Sequence, residues 1–213
     1  MAPVAIKICG LSTEATVAAA IAAGADLVGF VHFEKSPRHV SLDRGRVLSA
    51  QAKGLAERVV LLIDPDDTLV AAAVQALDPD WIQLHGRESP DRVAAIRAMT
   101  GRRVMKALGI ATRADLAQVA AYAATADRLL LDAKPPPGAD LPGGNGHAFD
   151  WDLLVGADLP ATYMLSGGLT PDNVAEALAR TGARAVDVSS GVETRPGEKS
   201  PERMAAFVAA VRI

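Results

Sequence analysis

Tyr163-Met164-Leu165-Ser166-Gly167-Gly168-Leu169 is an apolar run that stops abruptly at serine and glycine. Ala185-Val186-Asp187-Val188-Ser189-Ser190-Gly191-Val192 repeats this pattern later in the chain, and a helix start at Thr170-Pro171-Asp172-Asn173 lies between the two runs. Short apolar runs that end in this way are typical of strands buried on both faces of a parallel sheet. The carboxyl ends of two such neighbouring strands would present backbone N–H groups and a helix dipole to one anion. The two stretches therefore predict a phosphate site.

The rest of the chain also alternates short apolar runs with helix-forming segments. Eight strand–helix units in 213 residues, with no break in composition, predict a single (β/α)8 barrel domain over residues 1–213. In this fold, phosphate sites favour the loops after the last two strands. The predicted strands cover residues 4–9, 27–33, 58–63, 81–85, 103–108, 128–132, 162–165 and 184–188. The predicted helices cover residues 14–23, 41–53, 64–77, 151–155, 171–180 and 201–211, with two more that begin at residues 89 and 112.

A doubly wound open sheet is the structural alternative to the barrel. That fold usually carries a Gly-x-Gly-x-x-Gly loop after its first strand, and no such loop and no P-loop occurs in this sequence. The pattern therefore favours the barrel.

Composition limits the classes of partner. The net charge is only -3 and no sustained run of lysine or arginine occurs, so we expect neither nucleic acid nor a membrane surface as the main partner. A small metabolite fits better. The single cysteine, Cys9, excludes an internal disulfide and suits a reducing compartment. Because we also expect no secretory signal at the start of the chain, the predicted location is cytoplasmic.

Strand alternation identifies the side chains that could do chemistry at the barrel mouth. It places Lys7 and Cys9 on one face at the end of the first strand, and Gln83 and His85 together at the end of the fourth. Asp132 ends the sixth strand, and no helix that it could cap follows it. Cys9 and Asp132 are therefore expected to face one another across the mouth. The Pro- and Gly-rich stretch 134–147 has the length and hinges of a lid, and a flexible surface loop with no role at the site is an equal alternative.

A series of short motifs runs in order through essentially the whole sequence. They are Lys7-Ile8-Cys9-Gly10, Gly29-Phe30-Val31, Lys35-Ser36-Pro37-Arg38, Gln83-Leu84-His85-Gly86, Leu131-Asp132, Phe149-Asp150-Trp151, Leu165-Ser166-Gly167-Gly168-Leu169 and Val186-Asp187-Val188-Ser189-Ser190-Gly191-Val192-Glu193. Together these motifs resemble those of the phosphoribosylanthranilate isomerase family. The departures, at Glu34, His39 and the third strand, touch no proposed proton-transfer group.

The resemblance implies an Amadori rearrangement in tryptophan synthesis, without a cofactor. Asp132 would be the general acid and Cys9 the general base, with its thiolate favoured by Lys7 or by backbone dipoles. Arg38 would bind the anthranilate carboxylate and Asp187 a ribose hydroxyl, and Lys7, Gln83 and His85 would line the substrate site. The residues expected at the phosphate are Gly144, Ser166, Gly167, Gly168, Ser189, Ser190 and Gly191. No metal is expected, because the histidines at 32, 39, 85 and 147 lack metal-ligand spacing.

The sequence also allows two other interpretations. One is a different barrel enzyme with the same phosphate end, of the ribulose-phosphate epimerase or indole-glycerol-phosphate synthase type. The other is a catalytically silent barrel that binds a phosphorylated metabolite or a protein. The combination of Cys9, Asp132 and Arg38 speaks against both. The oligomeric state, monomer or homodimer, does not follow from the sequence.

Overall fold

Eight parallel strands close into a barrel. The structure, a computed structural model, describes residues 3–134 and 149–212. The strands pair in chain order, and the last pairs with the first. This arrangement confirms the predicted (β/α)8 barrel and excludes the open sheet. The strands are β1 Ala5–Cys9, β2 Leu27–Val31, β3 Glu57–Leu62, β4 Trp81–Leu84, β5 Arg103–Ile110, β6 Arg128–Ala133, β7 Met164–Leu165 and β8 Ala185–Val188.

Helices cover the outside of the barrel. Thr13, Ser41, Asp66 and Ser89 act as N-caps, since each side chain accepts the backbone N–H three residues ahead. Within the described residues, no helix combines the length and the apolar character needed to cross a bilayer. The α-helices are α1 Glu14–Ala23, α2 Leu42–Ala52, α3 Asp67–Leu77, α4 Pro90–Thr100, α5 Val119–Ala123, α6 Val174–Thr181 and α7 Pro201–Arg212.

The segment after β5 differs from the helix predicted to begin at residue 112. It forms a 3₁₀ helix, Arg113–Gln118, which leads into the short α5. Of the residues in these two elements, only Val119 is buried. Because helices in proteins are stabilised mainly by packing of an apolar face, this segment has little to hold a longer regular helix against the barrel.

Two further helices are shorter than predicted. The helix expected over residues 151–155 is a 3₁₀ helix, Trp151–Leu153, capped by Asp150. The helix expected from residue 171 begins later, because the Asn173 side chain binds Thr170 N at 2.8 Å and Gly168 O at 3.0 Å and so fixes residues 170–173 as a turn. In addition, the sequence does not predict the antiparallel hairpin of β9 Glu193–Arg195 and β10 Glu198–Lys199.

Alternation along the strands separates the barrel interior from the helix-facing layer. Ala5 and Leu130 belong to the cluster that fills the barrel, so Lys7, Cys9 and Asp132, an even number of residues further on, also point inward. The intervening residues pack against the helices. The buried members of the interior cluster are Leu27, Val59, Trp81, Met105, Ala107, Leu130, Met164, and Ala185.

Helix α7 packs on the outside of the barrel, next to α1. Met204 and Phe207 of α7 are fully buried. Arg212 donates to Val4 O at 2.6 Å and to Asp26 Oδ2 at 2.9 Å, which ties the end of the chain to residues flanking β1 and β2. The outer layer is therefore closed by contacts between the two ends of the sequence.

We expect Phe207→Ala to lower the free energy of unfolding by about 3–5 kcal/mol, because it leaves a cavity in the helix-facing layer. Urea denaturation measures this change. Val47→Ala is the control, since Val47 is half exposed on α2 and should change stability by less than about 0.5 kcal/mol. Equal effects of the two substitutions would contradict the packing described for α7.

Candidate active site

A buried ion pair lies inside the barrel where the first and last strands meet. Lys7 Nζ donates to Asp187 Oδ1 at 2.7 Å, and Ser166, just after β7, donates from Oγ to the other carboxylate oxygen at 3.2 Å. Burial lowers the pKa of Lys7, but the neighbouring Asp187 and Cys9 raise it more, so its net pKa lies above the ordinary value. Lys7 is therefore charged, and these contacts connect β1, β8 and the residue after β7 in the barrel mouth.

Cys9 ends β1 within this charged environment, and it is only 4% exposed. Burial raises the pKa of its thiol, and the ammonium groups of Lys7 and Lys199 oppose this effect without cancelling it. Lys7 thus favours the thiolate, as the sequence suggests, but burial outweighs it. In the free protein at neutral pH, Cys9 is a thiol.

Asp132 lies at the end of β6 and contacts His85. Its Oδ1 accepts the N–H of Ala133 at 2.8 Å, and its Oδ2 is 3.4 Å from His85 Nε2. The amide nitrogen of Gln83 lies 2.9 Å from His85 Nδ1, which leaves Nε2 of the ring facing Asp132. Gln83, His85 and Asp132 therefore form one side of the mouth, as their strand positions predict.

Arg38 is buried, and its guanidinium has a carboxylate partner within the protein. Arg38 Nε donates to Glu193 Oε1 at 2.7 Å, and Nη2 donates to Glu193 Oε2 at 2.8 Å. A Cβ placed on Gly10 would lie 2.6 Å from Arg38 Cδ, so the side chain passes directly over the residue that follows Cys9. The pair with Glu193 fixes the plane of the guanidinium beside the mouth.

The two loops predicted to hold phosphate lie against each other. Gly167 and Gly168, after β7, both have positive φ, at 86° and 62°. A Cβ at Gly191 would collide with the carbonyl oxygen of Leu169, so only glycine allows this close approach. Within the described residues, the N–H groups of Gly167 and Gly168 donate to no protein acceptor. The loop after β7 therefore offers backbone donors next to the turn that contains Ser189 and Ser190.

Two residues of the site are not predicted from the sequence. Glu193 and Lys199 are both buried, and Lys199 Nζ donates to Glu193 Oε1 at 2.6 Å. The signal that could have found them is the Pro196-Gly197 turn, which brings the flanking residues into a hairpin and so pairs Glu193 with Lys199.

Part of the predicted site lies outside the described residues. This applies to Gly144, to His147 and to the predicted lid apart from its first residue. Within the ranges 3–134 and 149–212, no three His, Cys, Asp or Glu side chains are grouped so that they could hold a metal ion.

Residues 6–210 match the family model described as N-(5′-phosphoribosyl)anthranilate (PRA) isomerase. The chain belongs to the N-(5′-phosphoribosyl)anthranilate isomerase family. It is 64% identical over 207 residues to the isomerase of Azorhizobium caulinodans, covering 97% of this chain and 91% of that one. It is 56% identical over 209 residues to the isomerase of Rhodopseudomonas palustris strain HaA2, covering 98% of this chain and 96% of that one.

Solved structures of the isomerase family share this fold. The crystal structure of phosphoribosyl anthranilate isomerase from Thermotoga maritima aligns with a TM-score of 0.88 at 32% identity, covering 98% of each chain. Phosphoribosyl anthranilate isomerase in complex with reduced 1-(o-carboxyphenylamino)-1-deoxyribulose 5-phosphate aligns with a TM-score of 0.85 at 29% identity, again over 98% of each chain. The family, the isomerase activity and the role in tryptophan biosynthesis predicted from the sequence are thereby confirmed, and the other barrel enzymes are set aside.

We expect the alkylation of Cys9 by iodoacetamide to have a pH midpoint above that of a cysteine in an unstructured peptide, because burial raises the pKa of the thiol. Lys7→Met should move the midpoint further up, since it removes a neighbouring positive charge. The rate of modification as a function of pH measures both effects, with the urea-unfolded protein as control. A midpoint at or below that of the unfolded protein would contradict the electrostatics described here.

Proposed function

We propose that Cys9 and Asp132 carry the isomerisation of N-(5′-phosphoribosyl)anthranilate to 1-(2-carboxyphenylamino)-1-deoxyribulose 5-phosphate. The observation that supports these roles best is their placement. Both side chains point into the barrel at the carboxyl ends of β1 and β6, and the contacts of Lys7, Asp187 and Ser166 lie along the wall between them. Catalytic groups of (β/α)8 barrels lie at this end.

The first step is opening of the ribose ring with Asp132 as the acid. Asp132 gives its proton to the ring oxygen while the C1′–O bond breaks, and the lone pair of the anthranilate nitrogen forms a C1′=N⁺ double bond. The Ala133 N–H holds Oδ1, so the proton to be transferred is carried on Oδ2, beside His85. His85 and Gln83 act as positioning residues, because they fix this carboxyl group in the mouth.

The second step is removal of the C2′ proton by Cys9. The cationic iminium makes this proton acidic, since the electron pair of the C2′–H bond forms a C1′=C2′ double bond while the π pair of the C1′=N⁺ bond returns to the nitrogen and neutralises it. The same positive charge favours the Cys9 thiolate, so the thiol of the free protein gives its proton to water and Cys9 can act as the base. The Asp132 carboxylate then takes the C2′ hydroxyl proton and the Cys9 thiol gives its proton to C1′, which converts the enolamine into the ketone. Asp132 is thereby protonated again, and Cys9 recovers the thiol form by taking a proton from water once the product leaves.

The remaining groups bind the substrate at its two ends. Arg38 takes the anthranilate carboxylate, for which a planar guanidinium is suited, and Asp187 accepts a hydrogen bond from a ribose hydroxyl. The loops after β7 and β8 bind phosphate chiefly through backbone N–H groups, with Ser166, Gly167, Gly168, Ser189, Ser190 and Gly191 as the assigned residues. Gly144, in the segment after β6, is assigned to the same phosphate. The substrate is thereby held at both ends with its sugar over Cys9 and Asp132.

We also propose the domain organisation, assembly and location of the protein. Residues 1–213 act as one catalytic domain on a small phosphorylated substrate in the cytoplasm. The assembly is a monomer or a homodimer, and each barrel carries a complete set of the assigned residues. Binding of nucleic acid and attachment to a membrane are not part of this function.

We expect Cys9→Ser and Asp132→Asn each to lower kcat at least about a hundredfold, the usual loss on removal of a general acid or base. The fluorescence of freshly made substrate reports the reaction directly. Asp43→Asn is the matched control, because Asp43 is an exposed carboxylate on α2 and should leave kcat unchanged. Unchanged turnover in Cys9→Ser or in Asp132→Asn, with the fold intact by circular dichroism, would overturn the role assigned to that residue.

Arg38→Ala should weaken the binding of the reduced product analogue far more than the binding of inorganic phosphate. The reason is that the lost guanidinium faces the carboxylate end of the ligand, whereas the phosphate loops keep their backbone donors. Competitive inhibition constants for the two compounds give the comparison. An equal loss for both would place Arg38 at the phosphate end.

A further inference from the structure

The β9–β10 hairpin supplies two buried charges beside Arg38. Glu193 and Lys199 are cross-strand partners, and each is only 5% exposed. The turn of the hairpin packs on the loop that carries Arg38, since a Cβ at Gly197 would lie 2.5 Å from Pro37 O. The hairpin and the loop after β2 therefore form one packed unit at the mouth.

The ammonium group of Lys199 is fully used in hydrogen bonds. Lys199 Nζ donates to Glu193 Oε1 at 2.6 Å, to Ser189 O at 3.0 Å and to Ser189 Oγ at 3.1 Å. A lysine side chain has three donors, and each of these contacts uses one. Ser189 Oγ in turn donates to Cys9 O at 3.1 Å. Lys199 thus connects the carboxylate that orients Arg38 to the backbone at Cys9.

Attraction of a ligand carboxylate to Arg38 needs a second cation, because Glu193 already neutralises the guanidinium. Arg38 and Glu193 alone form a neutral pair, in which the bidentate partner cancels the charge of the guanidinium. A neutral pair has little net attraction for another carboxylate in a low-dielectric site. With Lys199 the cluster has two positive charges and one negative charge, so a carboxylate ligand brings it to neutrality.

We propose that Lys199 is a positioning residue for recognition of the substrate's aromatic carboxylate: it anchors Glu193, which aims Arg38, and it keeps the Arg38–Glu193–Lys199 cluster positively charged. This inference rests on the proposed role of Arg38 as the carboxylate ligand. Lys199 itself is bonded on all three protons and need not touch the substrate.

The surroundings lower the net pKa of both Glu193 and Lys199, which favours the charged form of Glu193 but not that of Lys199. Burial would raise the pKa of Glu193, but Arg38 and Lys199 lower it more, so Glu193 is ionised. Burial lowers the pKa of Lys199, and Glu193 partly offsets that effect. A neutral amine would leave the buried carboxylate without one of its two cations, so the charged cluster is the state that the hydrogen bonds stabilise.

The test compares two ligands that differ only in the carboxylate. One is the reduced product analogue, and the other is the same compound without its carboxyl group. Titration calorimetry gives both dissociation constants for the full-length protein, and their ratio measures the preference for the carboxylate. Binding needs no turnover, so this experiment tests Lys199 independently of the catalytic roles. A negative result leaves the roles of Cys9 and Asp132 untouched, and a loss of those roles leaves the binding preference untouched.

We expect Lys199→Met to reduce the wild-type preference by about tenfold or more, mainly through weaker binding of the carboxylated ligand. Lys199→Arg, which keeps the charge, should retain most of the preference. Lys106→Met is the matched control: Lys106 is also buried and paired with a glutamate, Glu88, at 2.7 Å, but it faces away from the barrel interior. That substitution should lower stability and leave the preference unchanged.

The inference is overturned if Lys199→Met keeps the wild-type preference, or if it weakens both ligands equally. It also falls if the wild-type protein binds both ligands equally, because Arg38 then does not bind the carboxylate. If Lys199→Met does not fold, Lys199→Gln replaces it, since glutamine keeps amide donors in a similar volume without the charge. The outcomes that overturn the inference for Lys199→Met then apply to Lys199→Gln.

Discussion

The buried ion pair between Lys7 and Asp187 is the interaction on which the site depends. It joins the first strand of the barrel to the last, across 180 residues of sequence, and Ser166 extends it to β7. A buried ion pair costs desolvation, and apolar side chains of similar volume would close a barrel equally well. We therefore propose that charge at this position serves chemistry: it would offer a carboxylate to the sugar, and it places an ammonium group close to the Cys9 thiol.

The alternation of the strands separates stability from function in this molecule. Ile6 and Ile8 of β1 pack outward against the helices, whereas Lys7 and Cys9 point into the barrel. The same strands thus contribute both to the apolar layer and to the proposed proton-transfer site. The β9–β10 hairpin lies outside the barrel and adds its own buried carboxylate and ammonium group to the mouth. The buried polar groups of the site are therefore concentrated at the barrel mouth, on a scaffold whose outer layer is apolar.

The barrel and the strand ends could be predicted from the sequence because both follow from local patterns. Short apolar runs with fixed spacing determine the strands, and alternation determines that Gln83 shares a face with His85. The pairing of Arg38 with Glu193 could not be predicted in this way, since it depends on a hairpin of two very short strands. The ionisation of Cys9 also depends on burial in three dimensions, which outweighs the nearby lysine that the sequence shows. The segment around α5 was mispredicted because its caps are present but its apolar face is nearly absent.

The central claim is that Cys9 and Asp132 act on the same sugar. A crystal structure of this protein with the reduced product analogue tests it most directly. The account predicts that Cys9 Sγ lies about 3–3.5 Å from C2′ of the ligand, and that the Asp132 carboxyl lies about 2.6–3.2 Å from the oxygen on C4′. A ligand bound in the mouth with either side chain out of contact with the sugar would contradict the account.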